Sequence, residues 1–194
     1  MPPEPDEITG ALDQIRRGSA EAKNWLGGLL EERFRRRASW LLRHEPPGIT
    51  LATTDLMHEA WVAVLKYDEL TKAENRNELF RAFARAMRQA LLDHADRRRA
   101  KKRGGDRRRA GPVVLVLVED IRADPIDMLA VDEAFDALAK EDARAAEVMG
   151  LRVFGGYEVA EITAALGVGS STVERDSRFG RRFLRHFPSG GGRS

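Results

Sequence analysis

A chain of 194 residues, with 33 Lys and Arg against 31 Asp and Glu, suits one medium domain or two small ones. It contains no cysteine, which excludes disulfides and thiolate metal sites and fits a reducing, cytoplasmic setting. No long uncharged apolar run is present and the start MPPEPDEITG lacks the regions of a signal peptide, so no membrane insertion is expected.

Ile8, Leu12 and Ile15 predict a short first helix ending near Gly18. Ala22, Trp25, Leu26, Leu29, Leu30, Phe34, Ala38, Leu41 and Leu42 form an apolar stripe for a long second helix, which must stop before Pro46-Pro47-Gly48. Thr53 or Thr54 is expected to cap a third helix with Leu56, Ala60, Trp61, Val64 and Leu65 inside. A polar loop, KYDELTKAENRN, follows. Asn77 then starts a fourth helix burying Phe80, Phe83, Ala84, Met87 and Leu91, and both phenylalanines read as core because they lie on that apolar stripe. This helix runs into RRRAKKRGGDRRR, Arg97 to Arg109, where nine of thirteen residues are Lys or Arg. Phosphate neutralisation accounts for such a run better than helix capping does.

After Gly104-Gly105 the pattern breaks. Pro112 and VVLVLVED have strand-like content but no second strand to pair with, and read as an extended linker. A second bundle begins near Pro125, with Leu129, Phe135 and Leu138 on one helix and Val148, Met149, Leu151 and Phe154 on the next. The expected fold class is therefore all-α: two small helical bundles, 1–104 and 125–188, joined by a flexible linker, 105–124, with a disordered tail, 189–194.

The segment from Gly156 to Phe187 reads as a helix-turn-helix. Val159, Ile162, Ala165 and Leu166 give one buried face, Gly167 supplies a left-handed stop, and Val168 plugs the turn. Gly169 and Ser170 can cap a second helix with Val173, Ser177, Gly180 and Leu184 inside. Ser171, Thr172, Glu174, Arg175, Arg178, Arg181 and Arg182 are left for solvent or a partner, and a helix-turn-helix places such residues on base edges and phosphates. The bland reading is an antiparallel helix pair with a solvated basic face.

Catalysis finds little support. The neighbours His58-Glu59 and Asp93-His94 point about 100° apart on a helix and chelate a metal poorly, and no HExxH, P-loop or GxSxG pattern occurs. His44, His58, His94 and His186 read as polar surface or partly packed residues. No cofactor, metal or catalytic residue is expected.

Three motifs, in order, carry a family resemblance. TTDLMHEAWVAVL, NRNELFRAFARAMRQALLDHADRRRAKKRGG and LGVGSSTVERDSRF resemble the polymerase-holding helix, the promoter-melting helix and the helix-turn-helix of an extracytoplasmic-function (ECF) sigma factor of bacterial RNA polymerase. The resemblance covers about Leu29 to Phe187. It implies that Asp55, His58 and Glu59 dock on the coiled coil of the polymerase β′ subunit. It implies that Asn75, Arg76, Asn77, Phe80, Arg81 and Arg88 capture single-stranded bases of the minus-ten element, with Arg97, Arg98, Arg99, Lys101, Lys102 and Arg103 gripping phosphates. It further implies that the C-terminal bundle sits on the tip of the β flap and reads the minus-thirty-five element through Ser170, Ser171, Thr172, Glu174, Arg175, Arg178 and Arg182. Ser177 stands where the related branch has tryptophan, and either leaves a small void or bonds back to the preceding turn. Promoter DNA and core polymerase are the implied partners, and an anti-sigma factor is a further partner left open. The alternative is a helix-turn-helix regulator that acts without polymerase docking.

Overall fold

The computed structural model describes residues 5–43, 52–101 and 128–187. All nine elements among them are helices, as the all-α expectation required. The linker 105–124, the tail 189–194, and Lys102 and Arg103 lie outside the described residues.

The first group contains five helices. α1 (Pro5–Arg16) buries Ile8, Ala11, Leu12 and Ile15, and Gly18 turns the chain at φ +94°. α2 (Ala20–Arg43) is held at its start by Ser19, whose Oγ accepts from the Ala22 amide at 3.2 Å. It buries Ala22, Leu26, Leu30, Phe34, Ala38 and Leu41 at steps of three or four, which lines one stripe of the helix with apolar side chains. α3 (Thr53–Lys66) buries Leu56, Met57, Ala60 and Val64. Its cap differs from the threonine expected: the chain enters the helix at Ala52, and the Asp55 carboxylate reaches back to accept from the Ala52 amide at 3.2 Å. A carboxylate in the first turn satisfies an orphan donor and complements the helix dipole at once, so neither threonine is required.

The loop read as KYDELTKAENRN contains a short helix, α4 (Glu69–Lys72), entered through Asp68 in the left-handed region at φ 53°. A single turn anchored by buried Leu70 leaves no periodic signal in sequence. α5 (Arg76–Lys101) begins one residue earlier than expected, because Asn75 caps it by accepting from the amides of Asn77 and Glu78 at 3.0 and 3.1 Å. Phe83 stacks on Phe34 with ring centroids 4.3 Å apart, and Phe80 meets Phe34 edge-on at 5.7 Å. Both are buried, as their stripe position indicated.

The second group contains four helices. α6 (Met128–Glu141) and α7 (Ala143–Val153) are separated by Asp142 alone, whose carboxylate caps α7 by accepting from the Ala145 amide at 2.9 Å. Phe135 and Phe154 pack with centroids 5.4 Å apart. α8 (Val159–Leu166) fully buries only Ile162, with Val159 and Leu166 packed partly. Gly167 stops it at φ +65°, as a left-handed C-cap requires, and Val168 packs against the core. α9 (Ser170–His186) starts from Gly169 and buries Val173, Asp176, Ser177, Gly180 and Leu184. The two groups lie directly against each other, and their buried apolar residues form one contiguous cluster.

Candidate nucleic-acid interface

α9 divides cleanly into two faces. Ser170, Ser171, Glu174, Arg175, Arg178 and Arg182 are exposed, and Thr172 and Arg181 are half-buried. The opposite face approaches α7 so closely that a Cβ at Gly180 would lie 2.4 Å from Met149 Cγ, which fixes glycine at this crossing. Ser177 is completely buried and accepts a hydrogen bond from Arg152 Nη1 at 3.3 Å.

Asp176, beside Arg175 in the chain, is only 2% exposed, and its two oxygens serve two arginines. Arg144 Nε of α7 donates to Oδ2 at 2.6 Å, and Arg175 Nε donates to Oδ1 at 3.4 Å. The Arg144 hydrogen bond holds the carboxyl below its usual range against the opposing push of burial, and Asp176 in turn raises the Arg144 guanidinium. Arg175 thus leaves the helix surface with its inner end tethered, while its side chain is 64% exposed. Glu174, on the other side of Arg175, is exposed, and its backbone carbonyl accepts from Arg178 Nε at 3.5 Å. Position 176 lies three residues after Val173 and four before Gly180, so the spacing itself marked it as inward-facing. Arg144, far off in sequence, gave no such signal.

On α5, Asn77, Arg81 and Arg88 share one face and Arg76 stands beside them. Every one of these four reaches the second helix group. Arg76 Nη2 lies 3.5 Å from Glu161 Oε1, which also takes Arg33 Nη2 from α2. Asn77 Nδ2 donates to the Ala164 carbonyl at 3.2 Å. Arg81 Nε donates to Glu147 Oε1 at 2.8 Å, and Arg88 bridges Asp132 and Asp136, the latter at 3.0 Å. Behind them Tyr157 is buried edge-on against Phe80, centroids 6.0 Å apart, with the Arg33 guanidinium 5.4 Å from its ring. Burial pushes the Tyr157 phenol far above its usual range, so it stays protonated, and its hydroxyl has no hydrogen-bond partner among the described residues. Asn75 is occupied as the α5 cap. Arg33 was not foreseen, because it interrupts an otherwise apolar stripe.

α3 presents Asp55 and His58 to solvent, with Glu59 half-buried four residues after Asp55. Glu59 is paired: Arg97 donates to Oε2 at 3.0 Å and to Oε1 at 3.4 Å. Beside His58 a groove of about 280 Å³ opens between α2 and α3, walled by Thr53, Met57 and Trp61. Arg98, Arg99 and Lys101 lie on the last turn of α5. Among the described residues, no group of three or more His, Cys, Asp or Glu could hold a metal ion, and no helix is long and apolar enough to cross a membrane.

The family model of ECF sigma factors matches residues 5–187. The chain belongs to the ECF sigma factor family. No curated protein and no solved structure matches it. Membership of this family assigns the chain to transcription initiation and its regulation and implies RNA polymerase and promoter DNA as partners.

Proposed function

We propose that this ECF sigma factor holds core polymerase through the exposed face of α3 and selects promoters by two separate surfaces. The observation that carries the reading is the division of α9: hydroxyls and arginines outward, Val173, Ser177, Gly180 and Leu184 inward. With α8 and the left-handed Gly167 turn, α9 acts as the recognition helix of a helix-turn-helix and enters the major groove at the minus-thirty-five element. Ser170, Ser171 and Thr172 stand at its N-terminus, where amides and hydroxyls meet phosphates or base edges, and Arg178 and Arg182 follow along the backbone. Arg76, Asn77, Arg81 and Arg88 of α5 take the single strand of the minus-ten element, with Arg97, Arg98, Arg99, Lys101, Lys102 and Arg103 on the flanking phosphates. Asp55, His58 and Glu59 dock on the β′ coiled coil, and the second helix group sits on the β flap. The division of labour makes 1–104 and 125–188 separate functional units joined by 105–124.

Arg175 tests the reading at a single base. Its Nε is tethered by Asp176, and a bidentate contact to guanine is the role assigned to it in this reading. Arg175→Ala should weaken holoenzyme binding by about 1–3 kcal/mol on the preferred promoter and relax the preference at one upstream position. Binding to a panel of promoters, each changed at one minus-thirty-five position, reads this out. Equal loss on every sequence would assign Arg175 to a phosphate, and no loss would remove α9 from the groove.

A further inference from the structure

Among the described residues, Phe179 is the one large apolar side chain of the second helix group that stands exposed, at 43%. A lone exposed ring means nothing by itself; its position does. Residue 179 comes four after Arg175 and three before Arg182, so the ring lies on the outward face of α9 between two exposed arginines. It is also propped from behind. Its ring centroid is 6.3 Å from that of Phe183, and Phe183 in turn is 6.1 Å from Phe187. Phe183 and Phe187 rest on the core, and Phe179 stands at the outer end of the row.

We propose that Phe179 is a specificity-determining residue of α9 and packs against the C5-methyl group of one thymine in the minus-thirty-five element. The proposal rests on the reading of α9 as a major-groove helix and adds a base contact that its serines and arginines cannot make. The base edges in the major groove are donors and acceptors with one apolar exception, the thymine methyl. A ring brought over a donor or acceptor strips water from it and returns no hydrogen bond, which weakens binding. Over a methyl group, both apolar surfaces leave water together. The ring therefore favours thymine twice, by contact with its methyl and by a penalty at the other bases. The row Phe179, Phe183, Phe187 holds the ring in place before DNA arrives, so binding costs little side-chain freedom.

The test uses holoenzyme assembled from the full-length chain and bacterial core polymerase, on a promoter duplex that the wild type selects from a pool randomised across the minus-thirty-five element. Each thymine of that element is replaced in turn by deoxyuridine, which removes the methyl group and leaves the hydrogen-bonding edges in place. At one position wild-type holoenzyme should bind the uridine duplex about fourfold more weakly, the effect of one buried methyl group. Phe179→Ala holoenzyme should bind the thymine and uridine duplexes at that position equally, and should keep its response to base-pair changes elsewhere in the element. Circular dichroism checks folding, and if the alanine variant loses helix, Phe179→Gln, a polar and good helix-forming replacement, is read in the same way. The proposal is overturned if the selected element contains no thymine, if no uridine replacement weakens binding, or if the loss is the same in Phe179→Ala as in wild type. It is also overturned if Phe179→Ala binds core enzyme more weakly while the uridine effect persists, which would assign the ring to a protein surface. In each of these cases the reading of α9 stands as long as base-pair changes across the element alter wild-type binding. If the pool yields no preference at all, that reading falls and the Phe179 contact with it.

Discussion

Asp176 is one buried carboxylate that serves two guanidiniums, and it joins the inner wall of α9 to its outer face. Arg144 ties α9 to α7 through it, and Arg175 is aimed from it. A hydrogen bond to a charged group contributes about 1.5–3 kcal/mol, so Asp176→Ala should destabilise the chain by about that amount at neutral pH. The pH dependence has a definite sign. Asp176 has a folded pKa below its unfolded value, so its contribution is complete above the ordinary carboxylate range and is lost as pH falls through the lowered folded value. Denaturant titrations between neutral and acid pH should therefore show a penalty for Asp176→Ala that shrinks as pH falls. A penalty that stays constant down the acid limb would assign the residue's contribution to packing alone. Sequence spacing contained this much of the site: the inward position of 176 is visible, the partner Arg144 is not, because no local rule couples 144 to 176.

At the scale of elements, periodicity located the long helices because each buries a stripe at steps of three or four, as α2 does from Ala22 to Leu41. It missed α4, whose single turn has no period, and it misplaced the α3 cap, because a carboxylate inside the first turn did what a threonine before it was expected to do. The approach of α9 to α7 was partly legible. Gly180 stood at an inward position, but that Met149 faces it follows only from the packing. A Cβ 2.4 Å from Met149 Cγ forces the methionine to move, and overpacking of this kind typically costs about 1–3 kcal/mol. Gly180→Ala, although it raises helix propensity, should therefore lower the thermal midpoint; a rise would mean that Met149 repacks freely and the crossing is loose.

At the scale of the whole molecule, the sequence separated the helix groups but said nothing of how they meet. The sequence itself prints the basic residues of α5 and the acidic residues of α6 and α7. Their pairing through Arg81 with Glu147 and Arg88 with Asp132 joins positions 66 and 44 residues apart, which composition cannot register. The same pairing shows how a chain with a net charge of only +2 can carry a strongly basic helix: its own carboxylates cover part of that helix. The α3 face shows a related economy, since Glu59 is held by Arg97 and Asp55 caps its own helix.

The central claim is that this sigma factor confers promoter-selective initiation on core polymerase by docking through α3. Run-off transcription with purified bacterial core enzyme and a promoter selected by the wild-type holoenzyme tests it most directly, comparing no addition, wild type, and Asp55→Lys with Glu59→Lys. Losing the Asp55 cap should cost the double variant about 1 kcal/mol, so its folding is checked alongside by circular dichroism. The account predicts a discrete transcript with wild type only, and a folded double variant that neither co-purifies with core nor initiates. A folded double variant that initiates as well as wild type, or a wild-type chain that yields no promoter-dependent transcript, would contradict it.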